Sequence, residues 1–89
     1  MKMKSHTFRG IRYRVAADQK IDGYAEVPVG REPKTIYVDP TLPPLRHLEI
    51  ALHEALHAED PKKPERVVER QGKSLARWLW RMGYRRVNQ

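Results

Sequence analysis

The spacing of apolar and polar positions divides the chain into a strand-like first half and a helical second half. Phe8, Ile11, Tyr13 and Val15 are apolar or aromatic, and Arg12 and Arg14 alternate with the last three, the period of a half-buried strand. Ile21 to Val27 is a weaker strand candidate, interrupted by Gly23 and closed by Pro28. Gly30 and Pro33 mark a turn, after which Thr35-Ile36-Tyr37-Val38 is a compact β-branched and aromatic run ended by Asp39-Pro40. These segments predict an N-terminal antiparallel sheet of about three strands. A strand at Thr35 to Val38 could receive an extended substrate by edge pairing.

Two helices are expected to follow. Pro43-Pro44 stands where a first helical turn accepts proline, and a helix is predicted from Leu45 to Ala58. Leu45, Leu48, Leu52 and Leu56 form one stripe of it, and Ala51, Ala55 and Ala58 form a small-residue face. Pro61 and Pro64 enforce a break. The second helix runs from Glu65 to about Met82, with Gly83 as its stop. Its stripe reads Val68, Gly72, Leu75, Leu79 and Met82, bordered by Glu69, and Gly72 with Ala76 leaves room for close approach. Together these elements predict a single α+β domain spanning residues 1–89.

The first helix carries His53-Glu54-Ala55-Leu56-His57, an HExxH pattern. At about 3.6 residues per turn, both imidazoles project from one face one turn apart, close enough to hold one metal ion. Glu54 lies roughly 100° further round, where it can reach a water on that metal without being a ligand. Two imidazoles need a third ligand to match the open coordination of catalytic zinc. Glu69 is the first choice, because packing the two helical stripes antiparallel brings it towards the histidines. Glu65, one turn earlier, is the alternative, although its position also suits the charge of a helix N-terminus. Asp60 and Glu59 follow His57 so closely that capping or surface roles fit them better. His47 could orient a substrate or polarise an oxyanion, as could Tyr37, Tyr84 or an arginine; an exposed helix histidine is the plainer reading of His47. His6 is assigned to a loose terminal segment.

Composition narrows the chemistry. The 89 residues include no cysteine, so disulfides and thiolate ligands are excluded and a transition-metal site must use His, Asp or Glu. A chain this short has a thin stability margin to which bound metal would contribute. The basic N-terminus is followed by no apolar run, and no segment approaches membrane-spanning length, so a cytoplasmic location is expected. The net charge of +7 favours polyanions as partners without identifying one.

With these residues in view, the chain resembles the zincin metallopeptidases, in their gluzincin branch reduced to its smallest form. The resemblance rests on His53-Glu54-Ala55-Leu56-His57 and on Glu69-Arg70-Gln71-Gly72-Lys73-Ser74-Leu75-Ala76-Arg77, which looks like the glutamate helix of compact phage and bacterial gluzincin-like proteins. Lys34 to Pro40 and Leu79 to Tyr84 are similar to the same proteins. The resemblance implies a zincin-type fold, zinc at His53, His57 and Glu69, and Glu54 as general base in hydrolysis of a protein or peptide. One departure stands out. Larger gluzincins often place an acidic residue one turn after the ligand glutamate to support a ligand histidine, and counted from Glu69 that position is Lys73. Support would then come from Asp39, Asp60 or a backbone carbonyl.

A rival reading is a basic nucleic-acid-associated module in which zinc only staples two helices. Arg70, Lys73, Arg77 and Arg81 share one side of the last helix, Arg85 and Arg86 follow, and Trp78 and Tyr84 stand near. The same residues also suit a solvated basic face. Trp80, nearer the Glu69 side, is assigned to the core.

Overall fold

The chain first reverses at Arg9-Gly10, where both residues take positive φ, 53° and 74°. That pair of left-handed residues is what a two-residue hairpin turn requires, because its twist matches the strands it joins. A computed structural model describes residues 4–17, 23–25 and 34–87. In it the turn joins β1 (Lys4–Phe8) to β2 (Ile11–Ala17), with Phe8 paired to Ile11 and His6 to Tyr13. The single strand expected across Phe8 to Val15 is therefore a hairpin, and His6 sits in a paired strand instead of a loose terminus. Its ring also makes an edge contact with Phe8, 4.7 Å between centroids.

Two further strands complete a mixed sheet of four, in the order β1-β2-β4-β3. β3 (Gly23–Ala25) falls within the weak Ile21 to Val27 candidate; the rest of that candidate lies outside the described residues. β4 (Lys34–Val38) runs parallel to β2 and antiparallel to β3. The α+β class holds, with one more strand than expected and one parallel pair in place of an all-antiparallel sheet. β4 is also internal: Ile36 to Val38 are paired on both sides, so that stretch cannot take up an extended substrate. Ile36 and Val38 are buried on the helical side, and the period of two turns Thr35 and Tyr37 to the opposite face.

The helices stack as two further layers. α1 (Pro44–Glu59) starts with Pro44 in its first turn, and the His47 N–H donates to the Pro43 carbonyl at 2.8 Å. Its sheet-facing stripe is Ile50, Glu54 and Ala58, not the leucines, which are only half-buried. Tyr13, Ile36, Val38, Ile50 and Ala58 form the core, flanked by Phe8, Ile11, Leu42 and Ala51. Arg9 fastens the hairpin tip to the helix end by donating Nε–H to the Ala58 carbonyl at 2.9 Å. This satisfies one of the four carbonyls that a helix C-terminus leaves without an intrahelical partner.

α2 (Glu65–Arg81) packs on α1 and, among the described residues, on no strand. It ends where Gly83, at φ 93°, lets the Gly83 and Tyr84 amides donate back to the Trp80 and Leu79 carbonyls, a Schellman closure. The buried row of α2 is Val68, Gly72 and Ala76, whereas Leu75 and Met82, expected in the core, are 40% and 60% exposed. Gly72 explains the difference. A Cβ there would lie 3.4 Å from the His53 Cα and backbone nitrogen and 3.5 Å from the Glu49 carbonyl oxygen, so the helices cross at near-contact and the bulkier Leu75 is left outside. Glu65 and Glu69 share the row of Gly72 and Ala76, so the same rotation carries both carboxylates over α1. Replacing Gly72 with Leu is expected to cost about 1–3 kcal/mol in urea unfolding of the metal-free protein, through overpacking at this crossing. An unchanged unfolding midpoint would show that the crossing relaxes freely. No helix among the described residues is long and apolar enough to cross a membrane.

Candidate metal centre

His53 and His57 lie one turn apart on the side of α1 that borders α2. Their Nε2 atoms are 3.1 Å apart, and their ring centroids 4.8 Å. The prolines at 61 and 64 fold the chain back through a short turn in which Asp60 caps α1, its N–H donating to the Leu56 carbonyl. Asp60 Oδ1 accepts the Lys62 amide, at 3.3 Å, so this carboxylate serves the turn. The turn delivers Glu65, in the first turn of α2, directly opposite the imidazoles. Its two carboxylate oxygens lie 2.7 Å from His53 Nε2 and 2.7 Å from His57 Nε2.

These three residues offer ligand atoms that all lie within 4.8 Å of one another, and they could hold a metal ion. Two imidazole nitrogens facing one carboxylate repel it unless a proton or a cation lies between them, so the donor arrangement itself selects for positive charge. With no thiolate in the set, nitrogen and oxygen ligands suit a borderline divalent ion better than a soft one. The Glu65 side chain is 68% exposed, which leaves the centre open on its solvent side.

Glu69, the expected third ligand, occupies a different place. Its Oε2 is 3.0 Å from His53 Nδ1, the ring nitrogen that faces away from Glu65, and its Oε1 accepts from Lys73 Nζ at 3.0 Å. The hydrogen bond from Lys73 is the first cause that holds the Glu69 carboxyl below its ordinary range, with the Lys73 and His53 charges adding to it. When His53 is neutral, as a metal ligand must be, an ionised Glu69 accepting the Nδ1 proton fixes its tautomer and presents the Nε2 lone pair towards His57 and Glu65. Support for the histidine thus comes from Glu69 itself, held by Lys73. Asp39 is spent elsewhere, accepting the Thr41 amide and hydroxyl at 2.8 and 2.7 Å at the entrance to α1; those bonds lower its carboxyl below the ordinary range.

Glu54 lies in the sheet-facing stripe between Ile50 and Ala58 and is 5% exposed. Burial pushes its carboxyl up to about 7 from an ordinary 4.5; the nearby His53 charge opposes this and Glu65 reinforces it. In the metal-free protein the folded state therefore holds a proton that the unfolded chain has already released between about pH 4.5 and 7. Stability from this group falls as pH rises through that window and is level beyond it. At about 1.4 kcal/mol per unit, the loss is on the order of 3 kcal/mol. Urea unfolding in chelator is expected to show Glu54→Gln gaining on wild type between pH 5 and pH 8, and parallel curves would contradict the burial argument.

His47, Tyr84 and Tyr37 do not reach the centre. His47 and Tyr84 line a separate apolar groove of about 330 Å³ with Pro44, Leu48 and Trp80, at the far end of the helix pair. There burial, followed by the Arg86 charge, lowers the His47 imidazole below its ordinary value, against Asp39. Tyr37 stands on the sheet face opposite the helices. Trp80, half-buried, carries the Arg85 guanidinium 3.4 Å above its ring. No protein family, curated protein or solved structure matches the chain.

Proposed function

We propose that the chain is a zinc-dependent peptidase in which His53, His57 and Glu65 hold the ion and Glu54 is the general base. The observation that carries this reading is the meeting of the Glu65 carboxylate with both histidine Nε2 atoms, beside a buried Glu54 of raised proton affinity. Counting from Glu65 also removes the departure noted at Lys73. The acidic residue one turn after the ligand glutamate is then Glu69, and it supports His53, as the gluzincin resemblance leads one to expect.

Zinc bound there supplies a Lewis acid that makes a water acidic near neutral pH and polarises a carbonyl. The protein supplies the rest. Glu54 takes the water proton and returns it to the leaving amine, serving first as base and then as acid. Glu69 keeps His53 in one tautomer throughout, and Lys73 keeps Glu69 ionised. The exposed side of Glu65 leaves room for a chain-like substrate to approach.

The test is incubation of the zinc-loaded protein with a peptide mixture, reading new termini by mass spectrometry with and without chelator. Cleavage that chelation stops supports the proposal. Intact peptides in the presence of stoichiometric zinc would retire the peptidase reading and leave a metal that only ties α1 to α2.

A further inference from the structure

We infer that the outer face of α2 binds single-stranded DNA, with Trp78 stacking on an unpaired base and Arg70, Arg77 and Arg81 meeting phosphates. This face is the side of the third layer turned away from α1. Arg70, Lys73, Ser74, Arg77, Trp78 and Arg81 line a shallow groove of about 530 Å³ along it.

Several observations narrow the occupant. From Arg70 onwards the sequence has six Lys and Arg residues and no Asp or Glu, so the face carries one sign of charge. Lys73 is engaged by Glu69, whereas Arg70, Arg77 and Arg81 form no ion pair or hydrogen bond among the described residues. Successive cations stand roughly one helical turn, or about 5 Å, apart along the axis. A two-fold pairing of this face with itself in a second copy would bring like charges together and is disfavoured. A solvated basic face explains the arginines but not an indole 57% exposed in their midst. Exposed aromatic rings between cations are what a single strand uses, because each unpaired base offers a flat face and each nucleotide a phosphate. A duplex hides those faces. Stacking on a base and contact with phosphates require no ribose 2′-hydroxyl, so the deoxy strand satisfies this face in full.

The inference does not depend on the metal centre or on hydrolysis. It is tested with the full chain and a labelled thymidine homopolymer of about a dozen nucleotides, by fluorescence anisotropy across a salt series. Three to four phosphate contacts predict a log–log salt slope of about −2 to −3. Trp78→Ala is expected to weaken binding at least fivefold, and Trp78→Phe to restore most of it. Arg70→Gln with Arg77→Gln should flatten the salt slope by about 1 to 1.5. Arg14→Gln, an equal charge change per site on the far side of the sheet, should leave affinity within twofold. Equal losses from Arg14→Gln and Arg77→Gln would overturn the inference, as would indifference to Trp78→Ala. Tighter binding to the matching duplex, or to a uridine homopolymer, would overturn the assignment to single-stranded DNA.

Discussion

Glu54→Gln is expected to lower peptide cleavage by about 10²–10⁴-fold while leaving the metal content of the protein unchanged. The two effects separate because Glu54 contributes no ligand atom to the His53, His57 and Glu65 group, yet sits one residue from His53. Gln is nearly isosteric and fits the buried stripe between Ile50 and Ala58, so the helix and its histidines keep their places. What it lacks is a proton acceptor. A neutral amide cannot take the proton of an attacking water, and that is the whole of the loss. The measurement is a single-turnover cleavage assay on both proteins, with zinc determined by atomic emission on the same samples. Equal cleavage would sink the mechanism. A variant that loses its zinc would instead mean that Glu54 positions the ion.

Why so much of this centre could be read from the chain, and where the reading stopped, follows from the range over which each signal acts. Two histidines four residues apart are brought together by the helix itself, so His53 and His57 need no tertiary information. Glu65 and Glu69 differ by the rotation of α2 about its own axis. The apolar residues of α2 mislead on this point, because Leu75 and Met82 suggest one phase and the near-contact of Gly72 with His53 imposes another. A small residue at a crossing is a weaker hydrophobic signal than leucine and a stronger geometric one. The turn at Arg9-Gly10 escapes the apolar pattern for a related reason. Phe8 and Ile11 are three residues apart, which a continuous strand would send to opposite faces, and only a two-residue reversal puts them in register. The parallel pairing of β2 with β4 depends on how the chain crosses between them, which no local pattern records.

Glu65→Ala is expected to cost the protein its metal, and Glu69→Ala only to weaken it. The first change removes one of three ligand residues, leaving two imidazoles that bind divalent ions feebly. The second frees the His53 ring to turn, an effect of the kind that costs about 10–100-fold in affinity when a residue supporting a metal-bound histidine is lost. Lys73→Met should act through Glu69 and in the same direction, but less, since the carboxylate remains. Competition against a chromophoric chelator ranks the three, and an order with Glu69→Ala worst would restore Glu69 as ligand. The ranking also bears on folding. Glu65 belongs to α2 and the histidines to α1, so an ion at this centre joins the two helices across the Pro61 to Pro64 turn in a chain of only 89 residues. An ion present at a thousand times its Kd stabilises the folded state by about 4 kcal/mol. Thermal unfolding of wild type should therefore rise on adding zinc, Glu69→Ala should need more zinc to reach the same point, and Glu65→Ala should not respond. Because acid protonates the imidazoles that must be neutral to bind, the zinc-dependent part of the stability is also the part that falling pH removes.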